Sequence, residues 1–254
     1  MRFLLGLVGL AGFGLIFEVV PRIGLVSPDD VPPTSRILST LADQLTQDKF
    51  LTALLDTVRT WLFGLAIAVL AGVVLGVLIG SVPFLRAITA STIEFLRPIP
   101  SVALIPLAIV LYGSTVRSTL ILVVYASFWQ VLVQVLHGVA DVDPVARDTT
   151  AAYRLPILMR IRYLLWPTAL PYAVTGIRLA TSVALILTIT GELIIGSPGL
   201  GKEIAVAQAS GATSAMYAMV LITALFGVAA NVLTRAAERR MLSWHTSVRR
   251  EVPA

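Results

Sequence analysis

Three stretches of this chain carry no Asp, Glu, Lys or Arg: Thr60–Leu85, Ser118–Ala140 and Ile204–Thr234. A helix of about 20 apolar residues crosses the hydrocarbon core of a bilayer, and each run is long enough to do so. No water is available there to satisfy a bare peptide group, so only helices and closed barrels span membranes. The runs are rich in Leu, Ala and Val and lack the period-two alternation of a barrel strand. Charged residues make up only 13% of the chain, about half the share of an ordinary soluble domain. The expected class is therefore all-α and polytopic.

About six spans fit the pattern, near residues 3–22, 55–81, 89–112, 118–138, 172–195 and 215–236. The first follows a weak positive start at Arg2, and no small-x-small cleavage site comes after it, so it reads as an uncleaved span. Between the first two spans, Ile37, Leu38, Leu41 and Leu45 recur at helical spacing within Ser35–Leu45, which predicts a short surface helix. With the N-terminus inside, the inner segments hold Arg2, Arg86, Arg147, Arg154, Arg160 and Arg162, and the tail adds Arg235, Arg239, Arg240, Arg249 and Arg250. The outer segments hold fewer cations, Arg22, Arg36, Lys49, Arg117 and Lys202, interspersed with acids. The positive-inside rule then places both termini in the cytoplasm of a multi-pass cell-membrane protein. The net charge of +5 belongs to this bias and does not point to nucleic acid. The chain has no cysteine, which excludes disulfides and thiolate metal sites.

Local features point to a path and a lever. Gly64, Ala68, Gly72, Gly76 and Gly80 put one small residue every four along one helix face. Such a row admits a close neighbour, either within the subunit or across a dimer seam. Pro98, Pro100 and Pro106 interrupt the third span, each removing a helix hydrogen bond. Transporters place their pathway at such breaks. Glu94 and Arg97 lie three apart just before the break and are placed to pair, or to snorkel at the inner surface. Arg178 and Glu192 are the ionisable candidates of the fifth span. Arg178 would attract an anion or bind helix-end carbonyls; Glu192 would pair across a dimer, anchor an outer gate or sit at headgroup level. The longest internal hydrophilic segment, Gly138–Tyr172, opens with Asp143 as a helix cap and Pro144 at the first helical position. A helix is expected through Val145–Leu155, stopping at Pro156, and a second through Ile157–Trp166, stopping at Pro167. Without further information, this pair would also suit an amphipathic element resting at the headgroups.

The segment DTTAAYRLPILMRIRYLLWPTALP resembles the EAA loop of ABC importer membrane subunits. Asp148 takes the place of the family's Glu, Thr149 and Thr150 that of its Ala pair, and Trp166-Pro167 that of its Leu-Pro. Ala169-Leu170-Pro171 repeats the ending in the manner of the sulfonate, taurine and nitrate branch. Phe95–Gly113 (FLRPIPSVALIPLAIVLYG), the VDP before the loop, Thr175–Ala180 (TGIRLA), Gly191–Gly201 (GELIIGSPGLG) and the closing AERRMLSW are similar to that branch too, so the likeness runs from Asp56 to Trp244. Arg154 departs from the pattern, standing where the family has a Gly in a left-handed turn, and the turn is expected to shift by a residue or two towards Pro156.

The resemblance implies a type I ABC importer permease fold with a cytoplasmic coupling helix that docks into a separate ATPase. Residues 1–50 would supply the first span and an extracytoplasmic segment, 51–244 the permease core and 245–254 a cytoplasmic tail, all within one permease domain. Asp143, Pro144, Asp148, Thr149, Thr150 and Arg154 would carry the coupling; Glu94, Arg97, Pro98, Pro100, Arg178 and Glu192 are the path or gate candidates. The partners implied are two ATP-binding-cassette ATPase subunits, a second permease subunit (a homodimer or a related heterodimer), an extracytoplasmic solute-binding protein and the lipid bilayer. No cofactor is implied on this chain; ATP and magnesium belong to the partner. The implied solute is a small oxyanion of the sulfonate, taurine, nitrate or bicarbonate type, with a neutral or aromatic vitamin-like precursor as the alternative.

Gly196–Lys202 meets the first seven positions of a phosphate-binding P-loop, but Glu203 replaces the magnesium-holding Ser or Thr and no strand precedes it. It reads instead as a glycine-rich turn near the outer mouth. A membrane enzyme is the main rival class. The chain has two histidines, His137 at a span's inner end and His245 in the tail, and no HExxH motif. A membrane scaffold would suit the composition but would leave the broken span and the loop unexplained.

Overall fold

The computed structural model describes residues 2–242, with the side chains of all of these except 2–5, 7 and 10. His245, Arg249 and Arg250 of the expected tail lie outside the described residues. The elements are α1 (Arg2–Arg22), α2 (Thr34–Leu45), α3 (Asp48–Ser81), α4 (Pro83–Leu96), a 3-10 turn (Ser101–Leu104), α5 (Ile105–Tyr112), α6 (Val116–Ala140), α7 (Pro144–Ala152), α8 (Ile157–Arg160), a π-helical stretch (Ile161–Leu165), α9 (Trp166–Ile195), α10 (Leu200–Ala209) and α11 (Thr213–Met241). No strand occurs among the described residues.

Among the described residues, four stretches are long and apolar enough to cross a membrane: Asp48–Ser81, Val116–Ala140, Ile157–Ile195 and Thr213–Met241. The expected third span is α4 followed by the 3-10 turn and α5, bent by 82°; counted as one span it makes a fifth. Helix α1 forms over the first expected span. Two proline expectations change. Pro106 sits in the first turn of α5, where its missing N–H is harmless, so it starts a helix and does not break one. Pro167 does not end a helix either: the chain passes through the π-helical stretch into α9, which continues past Pro171. A widened i→i+5 turn gives the proline ring room against the preceding carbonyl.

The chain divides into two compact units. One comprises residues up to Val58 together with Ile189–Phe226. Within it α2 lays Ile37 and Leu41 on Ala218, with Tyr217, Leu221 and Ile222 around them. Its polar face stays outward, with Leu38 and Leu45 half-exposed, as a surface helix requires. Glu18 of α1 accepts hydrogen bonds from the Ser35 backbone N–H (2.8 Å) and hydroxyl (3.0 Å), which ties α1 to the start of α2. Phe50, Ala53 and Leu200 form a second small core with Leu54, Ile189 and Ile222.

The other unit comprises Arg59–Thr188 and the chain from Gly227. Here the small-residue row of α3 has its partner inside the subunit. A Cβ added at Gly64 would lie 2.5 Å from Val123 Cγ1; at Gly72, 2.8 Å from Val131 Cβ; at Gly76, 2.7 Å from Val135 Cγ1; at Gly80, 2.9 Å from Val139 Cβ. Each glycine of the row thus receives one valine of α6, at matching intervals of eight, four and four residues on the two helices, and backbones approach as small residues permit. Of the two readings of the row, packing within the subunit is the one realised. Gly138 does the same for α6 and α9: a Cβ there would meet Ala169 Cα at 2.8 Å. Val131, Val135, Val139, Val142, Leu165, Ala169, Ala173 and Ala180 form the resulting core.

Candidate coupling loop and translocation elements

Helix α7 begins as its sequence dictates. Asp143 Oδ1 accepts from the Val145 N–H at 2.7 Å and Pro144 occupies the first turn, a cap that contributes about 1 kcal/mol. The helix stops at Ala152, three residues earlier than the expected Leu155, because the chain turns left-handed at Arg154 with φ 53°. Two bonds close that end: the Arg154 N–H donates to Ala151 O at 2.9 Å and the Leu155 N–H to Thr150 O at 3.0 Å. This is the Schellman pattern, in which glycine is the usual left-handed residue. The turn has therefore not shifted towards Pro156; Arg154 itself adopts it, at a cost of roughly 1–2 kcal/mol.

No residue of α7 is buried. Asp148 is exposed, while the hydroxyls of Thr149 and Thr150 donate back to the carbonyls of Val145 (2.7 Å) and Arg147 (2.8 Å). Val145 (72% exposed), Tyr153 (78%) and Leu158 (76%) leave this segment with a wide apolar surface that the chain itself does not cover. Its base is firmly tied: the Tyr172 hydroxyl donates to Asp141 Oδ2 at 2.7 Å, beside the tight contact at Gly138.

The broken span places Arg97, Pro98 and Pro100 in the link between α4 and the 3-10 turn, all exposed. Glu94 is exposed too, and among the described residues no ion pair joins it to Arg97. A carbonyl near the break is satisfied by a residue the sequence reading missed. The Tyr125 hydroxyl of α6 donates to Leu96 O at 2.6 Å, and the Ile99 N–H reaches the same oxygen at 3.2 Å. A tyrosine in an apolar helix signals nothing in sequence; its partner emerges only when two helices meet.

Arg178 and Glu192 have different fates. Arg178 Nη1 lies 3.2 Å from Glu238 Oε2, so its charge is engaged by α11 and not by helix-end carbonyls. Glu192 is fully buried inside its own unit, which replaces the expected dimer or headgroup placement. Its Oε2 accepts from the Thr57 hydroxyl at 2.9 Å and from the Gly201 N–H at 2.9 Å. Thr57, also fully buried, accepts from the Leu200 N–H at 2.8 Å. The glycine-rich turn thus offers the start of its helix to the chain's own side chains: the Leu200 and Gly201 amides, two that a phosphate would need, are taken by Thr57 and Glu192. Gly199 (φ 147°) passes so close that a Cβ there would overlap the Glu192 carboxylate. Thr57 is the second residue the sequence reading missed.

Elsewhere in the same unit a cavity of about 200 Å³ is lined by Gln44, Gln47, Phe50 and Glu203, with the Lys49–Glu203 ion pair (2.6 Å) at its edge. Among the described residues no three His, Cys, Asp or Glu side chains gather as a metal site.

Long apolar helices, one sharply broken span and one exposed, capped loop helix define a polytopic membrane protein. Residues 68–243 match the family described as binding-protein-dependent transport system inner membrane component, and the chain belongs to that family. It is 29% identical over 241 residues to the taurine transport system permease protein TauC of Escherichia coli (strain K12), covering 92% of this chain and 86% of that protein. It is 25% identical over 232 residues to the putative aliphatic sulfonates transport permease protein SsuC of Bacillus subtilis (strain 168), covering 91% and 84%. The crystal structure of an amino acid ABC transporter with histidines shares the fold at a TM-score of 0.65 and 18% identity, covering 80% of this chain and 98% of that one. The chain is therefore an inner-membrane permease subunit of the ABC importer type and not an enzyme; ATP is hydrolysed on a separate subunit. Family membership implies an ATPase and a solute-binding protein as partners.

Proposed function

We propose that this chain forms the translocation path of an importer for a small oxyanion, and that α7 is the lever through which a partner ATPase drives it. The observation that carries the lever is the exposed, rigidly capped helix. Asp143 fixes its start, the Arg154 turn fixes its end, and Val145, Tyr153 and Leu158 stand uncovered around it. A buried structural helix would bury its apolar residues; one made to enter a groove on another protein leaves them out. Asp148, Thr149, Thr150 and Arg154 are the surface that groove would meet. ATP and magnesium would reside there, on the partner.

The oxyanion reading is supported by the names of the two relatives, which handle taurine and aliphatic sulfonates; nitrate and bicarbonate likewise present an anionic group of oxygens. In this reading two copies of the chain enclose the path, two ATPases close and reopen it, and an extracytoplasmic protein delivers the solute. Both termini lie in the cytoplasm, and the whole chain acts as one permease domain. Selectivity can rest with the delivering protein, because a solute shifts the cycle only by its differential affinity for the two states. Glu94, Arg97, Pro98 and Pro100, at the exposed break, are the residues proposed to border the path. Arg178, engaged by Glu238, is proposed to brace it.

Single cysteines introduced from Asp143 to Arg154 test the lever. At Asp148 a crosslink to the copurified ATPase is expected; absence of any crosslink along the whole series would overturn the reading.

A further inference from the structure

Helix α10, ten residues long, spans only about 15 Å, half of what a bilayer requires. It joins the end of α9 to the start of α11 and is too short to cross. Of its residues, Leu200, Gly201, Ile204 and Ala207 are buried, while Lys202, Val206 and Gln208 are exposed. Its own apolar anchor is thus narrow. Its N-terminus, by contrast, is held by groups from two other helices: Glu192 from the last turns of α9 and Thr57 from α3.

We propose that Thr57 and Glu192 are positioning residues that fix α10 to the end of α9, so that α10 travels with α9 as a gate element during the transport cycle. The proposal rests on the permease reading above and adds which part of the chain moves as a unit. Three elements share one cluster of buried polar atoms. The Thr57 hydroxyl donates to Glu192 Oε2 and accepts from the Leu200 N–H, and the same Oε2 accepts from the Gly201 N–H. Two of the orphan amides of a helix start are satisfied this way, in a place from which water is excluded. Separating α10 from α9 would strand these donors and a carboxylate together, and each buried group left unmade is expensive. Gly199 and Gly201 let the turn close over the carboxylate: a Cβ at Gly201 would stand 2.7 Å from Glu192 Cβ and would meet Ile189 O as well.

Because Oε2 alone receives both bonds, Glu192→Gln can keep them with its single carbonyl oxygen, whereas Thr57→Val removes the hydroxyl and nearly preserves the shape. Spin labels at positions 194 and 206, both half-exposed, report the α9–α10 distance by double electron–electron resonance in the assembled transporter. The comparison is between nucleotide-free and ADP-vanadate-trapped complexes. Expected are one narrow distribution, unchanged between the two states, for the parent protein, for Thr57→Ser and for Glu192→Gln. A broadened or second distance is expected for Thr57→Val at unaltered yield of assembled complex. If Thr57→Val does not assemble, Thr57→Ala is measured against Thr57→Ser in its place. A parent distance that changes between the two states would overturn the proposal, as would an unaltered distribution in the variants lacking the hydroxyl. Failure of the parent chain to assemble with an ATPase at all would instead refute the permease reading.

Discussion

Gly64 offers the most direct test of the helix packing. A methyl added there would stand 2.5 Å from Val123 Cγ1 and 3.1 Å from Val123 Cβ, against ordinary contact at 3.4–4 Å. The neighbour would have to yield by about 0.9 Å, and it cannot do so cheaply. Val123 is fully buried, and a valine in a helix holds one χ1 rotamer about nine times in ten. Overpacking of this kind costs about 1–3 kcal/mol. Replacing glycine by alanine within a helix returns about 1 kcal/mol of propensity. The net expectation for Gly64→Ala is a loss of up to about 2 kcal/mol. Val123→Ala alone removes two methyl groups, at about 2 kcal/mol. It also deletes the nearest clashing atom, leaving only Cβ at 3.1 Å. The double variant should therefore be more stable than the sum of the two singles by about 0.5–3 kcal/mol, the usual range for residues in contact. Equilibrium unfolding in mixed micelles by SDS titration, followed by far-UV circular dichroism, measures all three. Strict additivity, or a Gly64→Ala variant more stable than the parent, would refute this packing. A dimer seam along the same row predicts otherwise: Gly64→Ala would change the oligomeric state and Val123→Ala would not rescue it.

Two further outcomes follow from backbone geometry. Gly138→Ala, whose Cβ would meet the Ala169 backbone at 2.8 Å, should destabilise by up to about 2 kcal/mol, overpacking outweighing the helix propensity gained. Gly227→Ala meets only the Leu185 Cδ2 tip at 3.3 Å and should stabilise by up to about 1 kcal/mol; the same unfolding assay compares them, and equal effects would count against the α6–α9 approach. Arg154→Gly relieves the left-handed strain at φ 53° and should raise hydrogen-exchange protection of the Leu155 amide by up to about tenfold. Arg154→Val, β-branched, should lower that protection; no change in either variant would mean the turn is not formed by this residue.

Of the six expected spans, the second, fourth, fifth and sixth, and the broken third, were legible in the sequence, because a charge-free apolar run has one fate in water and another in lipid. The cap of α7 was legible too: Asp143-Pro144 states a helix start within three residues of chain. The break near Pro98 and Pro100 was visible as an interruption, but its 82° bend was not, since proline removes a hydrogen bond without setting a direction. Sequence chemistry misjudged Arg154, where strain alone argued for shifting the turn; Pro156 two residues later and the bonds to Ala151 and Thr150 hold it in place.

Tertiary structure decided everything that depended on a partner distant in sequence. The glycine row announced a close neighbour, yet only the facing valines of α6 showed that the neighbour lies within the subunit. Arg178 and Glu192 were conspicuous as charges in apolar helices, and sequence could say only that each must find a partner or a path. Glu238 lies 60 residues from Arg178 and Thr57 lies 135 from Glu192. A threonine or a tyrosine in an apolar helix carries no signal of its own; the free energy of its hydroxyl is set by what the fold brings within 3 Å. Composition and local pattern thus determined that this chain lives in a membrane as helices, while the fold determined which buried polar groups hold those helices to one another.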